Sequence, residues 1–136
     1  MKSLHTLLRV AKREMDRLRR MLSAAGVRLA DVEARLVAHD AAVIKEQALA
    51  LRDPQSARAY AAYVLLAGQQ RSALLAERVS TEREIEELRA LVTAAHVEAR
   101  KFERLLELEA EREKARREKR EDAALDEMAT LRAGRR

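Results

Sequence analysis

The sequence predicts an all-α fold: a long antiparallel two-helix coiled-coil hairpin whose C-terminal helix extends beyond the first. Three observations lead there. Aliphatic residues recur at heptad spacing through most of the first half. A single proline, set among turn-forming neighbours, interrupts the helical pattern once, at residue 54. The composition combines 48% hydrophobic and 38% charged residues with only 2% aromatics, which supplies a narrow aliphatic seam and not a bulky globular core.

The first helix, expected over about 3–51, carries the clearest pattern. One series runs Leu8, Met15, Leu22, Leu29, Leu36 and Val43, and a second runs Leu4, Ala11, Leu18, Ala25, Val32 and His39. Alternating between the two gives a 3.5-residue period, the condition for left-handed supercoiling against another helix. At about 1.5 Å per residue this arm spans about 70 Å. His39 is the one polar residue in the seam, where such a residue fixes register more often than it performs chemistry.

The turn falls at about 52–56. Pro54 lacks a backbone donor and disfavours helical geometry at the residue before it, and either Asp53 or Ser56 caps the helix that follows. A short connection of this kind makes antiparallel neighbours, so facing residues should have numbers totalling roughly 110. That ruler sets Phe102 opposite the region of Leu8 and Ala11, a large side chain against a small one.

The second helix, expected over about 57–131, starts irregularly. Val64, Leu65, Ala67, Gly68, Leu74, Leu75 and Val79 form a drifting stripe, and a change of supercoil is expected between Leu75 and Ile85. A strict seam resumes with Ile85, Leu88, Val92, Ala95, Ala99, Phe102 and Leu106. Beyond it, twelve of the fourteen residues in 109–122 are charged, with Glu113 and Arg117 as an expected i,i+4 pair. A short apolar stripe then returns at Leu125, Met128 and Leu131, before a basic end at Arg132, Arg135 and Arg136. A stripe without a mate inside the chain implies a partner outside it; the alternative is a frayed tail.

No catalytic or metal site is expected. The chain has no cysteine, its histidines (His5, His39, His96) lack metal-ligand spacing, and its glycines build no phosphate loop. No cofactor is expected either. No apolar run is long enough to span a membrane, and the N-terminal residues do not read as a signal peptide. The formal charge of +5 by itself selects no partner; because Arg9, Lys12, Arg13, Arg17, Arg19 and Arg20 wrap around the helix without forming one basic face, they suit a solvated rod surface or an acidic protein partner better than nucleic acid. Tyr60 and Tyr63 share a face near the turn, where they either form a recognition patch or pack over the first helix.

Three stretches resemble the flagellar FliJ family, the small coiled-coil component of the flagellar type III export apparatus. They are the N-terminal heptad helix; residues 56–64, where Tyr63 stands at the family's Phe position three residues after Tyr60; and the C-terminal run 100–107 with 117–122 and the Asp126-Glu127-Met128-Ala129 ending. The sequence departs from the family in lacking tyrosines over 37–47 and in having Ala67 where a larger apolar residue is common. The resemblance implies a non-enzymatic stalk in flagellum biogenesis and protein transport. Its implied partners are the export ATPase hexamer, the cytoplasmic region of the export gate protein and export chaperones. Its implied location is the cytoplasm, peripherally at the cell membrane. Tyr60 and Tyr63 would lie toward the gate, and Leu125, Met128 and Leu131 toward the ATPase ring. The injectisome stalk of the same architecture, or a generic homodimeric coiled-coil scaffold, is the alternative.

Overall fold

A computed structural model describes residues 2–135 of the chain. The fold is an all-α two-helix hairpin, with α1 at Lys2–Ala50 and α2 at Pro54–Gly134. Helix–helix contact is extensive and of the antiparallel, coiled-coil-like kind. Arg136, part of the expected basic end, lies outside the described residues.

The turn is built by Asp53 and Pro54. Asp53 Oδ1 accepts from the Gln55 backbone N–H at 3.1 Å, and Oδ2 accepts from the Ser56 hydroxyl at 3.2 Å. The Asp53 carbonyl accepts the first intrahelical bond of α2, from the Ala57 N–H at 3.1 Å. Asp53 is therefore the cap, and Ser56 is a donor to it. The helix begins at Pro54, three residues before the expected position, because proline's missing N–H falls where a helix's first donors have no partner anyway. At the end of α1, the Arg52 N–H closes back on the Leu49 carbonyl at 3.1 Å, tightening the last turn.

The helices contribute to two compact units: a hairpin unit, Asp16–Thr93, and a terminal unit made by Met1–Met15 and Ala94–Arg136. In the hairpin unit Leu18, Ala25, Val32 and Leu36 are buried, and Leu22, Leu29, His39 and Val43 are half-buried. These are the expected seam positions of α1. Three ion pairs join the arms: Arg28 to Glu84 at 2.7 Å, Arg35 to Glu77 at 2.6 Å, and Arg71 to Asp40 at 2.9 Å. Their residue numbers total about 111–112, close to the expected ruler. The small excess follows from geometry, since each side chain leans toward the N-terminus of its own helix. Being exposed and screened by solvent, these pairs set register more than stability.

The first part of α2 corrects the sequence reading. Val64, Leu65, Gly68 and Val79 are exposed. The covered positions are Tyr60, Tyr63, Ala67, Leu74, Arg78, Thr81, Ile85, Leu88 and Val92, with Leu75 half-buried beside them. Polar side chains at two seam positions, Arg78 and Thr81, hid the period. Thr81 is buried and satisfies its hydroxyl on the Glu77 carbonyl at 2.9 Å. Arg78 buries its Nε without a hydrogen-bond partner; Glu82 Oε1 lies 3.8 Å away, beyond bonding reach. Ala67, Leu74, Thr81 and Leu88 keep one seven-residue series and Arg78, Ile85 and Val92 the other, so the heptad period runs through 67–92. The change of supercoil expected between Leu75 and Ile85 does not show in the spacing; the departures lie nearer the turn, where Arg71 and Val64 are exposed and Tyr63 is covered.

In the terminal unit Leu4, Leu8, Ala11 and Met15 of α1 are half-buried, as are Ala95, Phe102 and Leu106 of α2, and Ala99 is buried. Lys12 Nζ meets Glu103 Oε1 at 3.8 Å, which puts Phe102 level with the stretch containing Ala11, as the size alternation predicts.

Candidate partner-binding surfaces

Tyr60 and Tyr63 lie in the first turns of α2, positioned by the Asp53 cap. They occupy seam spacing and are half-buried, and their ring centroids stand 6.2 Å apart at an interplanar angle of 30°. The two rings therefore stand close to each other and are each only partly covered. Tyr60 also lines an open groove of about 480 Å³ with His39, Val43, Ile44 and Val64. His39 Nε2 lies 3.0 Å from the Ala67 carbonyl, so this nitrogen carries the proton and donates. Asp40 and Arg71 line the same groove. The Arg71 guanidinium, hydrogen-bonded to both carboxylate oxygens, holds Asp40 below the ordinary 3.8, and Asp40 raises Arg71 in return.

The second surface is the end of α2. Every described residue after Glu109 is exposed. The expected Glu113–Arg117 pair is replaced by a ladder along another face: Glu109 with Arg116 at 3.5 Å, and Glu113 with Arg116 at 3.8 Å and with Arg120 at 3.4 Å. The spacing 109, 113, 116, 120 continues the seam's period with charges in place of aliphatics, so ions line the face where a helical partner would otherwise lie. Leu125, Met128 and Leu131 fall on a different face, three residues apart, and are 64%, 53% and 61% exposed. Together they form a short exposed apolar stripe.

Of the histidines, His5 lines a shallow groove together with Leu106, Glu109 and Glu113. Those carboxylates are committed to Arg116 and Arg120. Among the described residues no group of three or more His, Cys, Asp or Glu side chains is placed to hold a metal ion. No helix of the described residues is long and apolar enough to cross a membrane. No protein-family model, curated protein or solved structure matches the chain.

Proposed function

We propose that this chain is a non-enzymatic stalk of the flagellar type III protein export apparatus, acting in the cytoplasm at the inner face of the cell membrane. The support is the resemblance of its heptad helix, tyrosine pair and C-terminal ending to the FliJ family, together with the two-helix hairpin and the unequal lengths of its helices, 49 and 81 residues. In this reading α2 extends beyond its last mate on α1, and the extension enters the hexameric export ATPase. An asymmetric helix inside a ring of identical subunits touches them unequally, so it favours different subunit states in turn without hydrolysing nucleotide itself. The tyrosine groove takes the cytoplasmic region of the export gate, and export chaperones are handled by the same component.

The observation that carries the reading is the exposed stripe of Leu125, Met128 and Leu131 beyond the last covered residue of α2. Titrating the purified export ATPase with the full chain tests it. Replacing the three stripe residues together by Ala should weaken binding by about 10- to 100-fold, the loss expected when a small apolar anchor is truncated. Tyr60→Ala with Tyr63→Ala should leave ATPase binding intact and weaken binding to the gate domain. Unchanged ATPase affinity in the triple variant would refute the assignment of that end.

A further inference from the structure

The outward face of α1 changes character halfway along the helix. Up to Ser23 the positions opposite the seam are Arg9, Arg13, Asp16, Arg20 and Ser23, the polar set expected of a solvated coiled-coil exterior. From Val27 to Leu51 every such position is aliphatic, at alternating three- and four-residue steps, and every one is exposed. Val27, Val37, Ile44 and Leu51 are 68%, 71%, 66% and 85% exposed. This is a second heptad seam, away from the inner seam of α1 and within the hairpin unit, with Ile44 at its edge also lining the groove that Tyr60 and Val64 of α2 line. Nothing in the unit covers it.

We infer that this face pairs with the same face of a second copy of the chain, antiparallel, about a two-fold axis near residue 39. Two features select that occupant. The first is size. Antiparallel pairing about residue 39 brings Val27 against Leu51 of the second copy, Ala30 against Ala48, Ala34 against Ile44 and Val37 against Ala41. Each inner large side chain meets an alanine, so the two inner layers and their symmetry mates have nearly one volume. A parallel, in-register pair would stack Ile44 on Ile44 and Ala34 on Ala34, alternately crowded and empty. The second feature is charge. Asp31 and Lys45 flank the stripe on the same edge, two heptads apart; Asp31 is paired with Arg35 of its own helix at 2.9 Å, and Lys45 has no ion-pair partner among the described residues. The two-fold axis sets Asp31 of each copy beside Lys45 of the other, twice per interface. Val27, Val37, Ile44 and Leu51 are all about two-thirds or more exposed, so each has most of its surface still open to a second copy.

The inference stands independently of the export reading, because its test uses the chain alone. Sedimentation equilibrium of the full chain should show the mass rising from 15.4 kDa toward twice that value as concentration increases through the micromolar range. Val37→Lys with Ile44→Lys should raise the dissociation constant at least about 100-fold while leaving helical ellipticity unchanged, since both positions are exposed. The chain has no cysteine, so Ala34→Cys and Ile44→Cys report the register directly. The two variants mixed should form a disulfide dimer on oxidation, and neither should do so alone. Asp31→Lys and Lys45→Asp chains should likewise associate better with each other than with themselves. A mass of 15.4 kDa at every concentration, a dimer that survives the lysine pair, or cross-linking of either single-cysteine chain with itself would overturn the proposal.

Discussion

Val32 and Val37 lie on opposite faces of the same stretch of α1, and truncating each isolates what the seam contributes. Val32 is 1% exposed and Val37 is 71% exposed. Val32→Ala removes two methyl groups from a closed contact. At about 25 cal/mol per Å² and about 50 Å² of lost apolar area, the transfer term is about 1.2 kcal/mol. A residual cavity of about 40 Å³, at about 24 cal/mol per Å³, adds about 1 kcal/mol if the helices do not close over it. Alanine's better helix propensity returns about 0.6 kcal/mol. The net cost is therefore about 0.6–1.6 kcal/mol. Val37→Ala loses no contact within the chain and keeps the propensity gain, so it should be neutral or stabilise by up to about 0.6 kcal/mol. Urea unfolding followed by helical ellipticity, at a concentration where the chain is monomeric, measures both. The Val32→Ala midpoint should fall with an unchanged slope while that of Val37→Ala stays or rises. Equal losses in the two variants would refute the assignment of faces on which the fold description rests.

Three further outcomes follow from individual contacts. Arg78→Leu should raise stability by about 1 kcal/mol, because it replaces a seam residue whose buried Nε has no hydrogen-bond partner; a lower urea midpoint would contradict this. Asp53→Ala should cost about 1 kcal/mol through loss of the helix cap, whereas Ser56→Ala should cost less, and thermal unfolding of the two variants separates them. Asp40 has a folded pKa below its unfolded 3.8, so its contribution is fully present above 3.8 and is lost as pH falls through the folded value. The acid limb of a urea-midpoint profile between about pH 5 and pH 2 should flatten in Asp40→Asn, and an identical limb would show that the Arg71 pairing contributes nothing.

Much of the hairpin is legible from heptad spacing alone, because a seam residue in a two-stranded structure has only one place to go. Each expected α1 seam residue, from Leu4 to Val43, is buried or half-buried, and so is each α2 residue expected from Ile85 onward. Reading failed between 64 and 81 because hydrophobicity and position diverge there. Val64, Leu65 and Val79 are apolar but face outward, whereas Arg78 and Thr81 are polar and face inward. The three-four spacing counted back from Ile85 places Thr81, Arg78, Leu74, Ala67 and Tyr60 correctly, but it would also turn Arg71 and Val64 inward, and both are exposed. The Asp53 cap was one of two options that only geometry could separate. Tyr60 and Tyr63 were placed correctly near the turn, yet that they pack against each other at seam positions required coordinates. The second seam from Val27 to Leu51 was visible in principle as aliphatic residues at outward heptad positions; the stronger inner seam masks it.

The central claim is that the end of α2 is a docking segment with its apolar stripe uncovered until a partner arrives. Hydrogen exchange of the full chain, alone and with the purified export ATPase ring, measures this directly. Amides around Leu125, Met128 and Leu131 should exchange rapidly in the free chain, since no described residue there is buried, and should become protected in the complex. Rapid exchange at that stripe in the bound chain, with protection appearing elsewhere, would contradict the account.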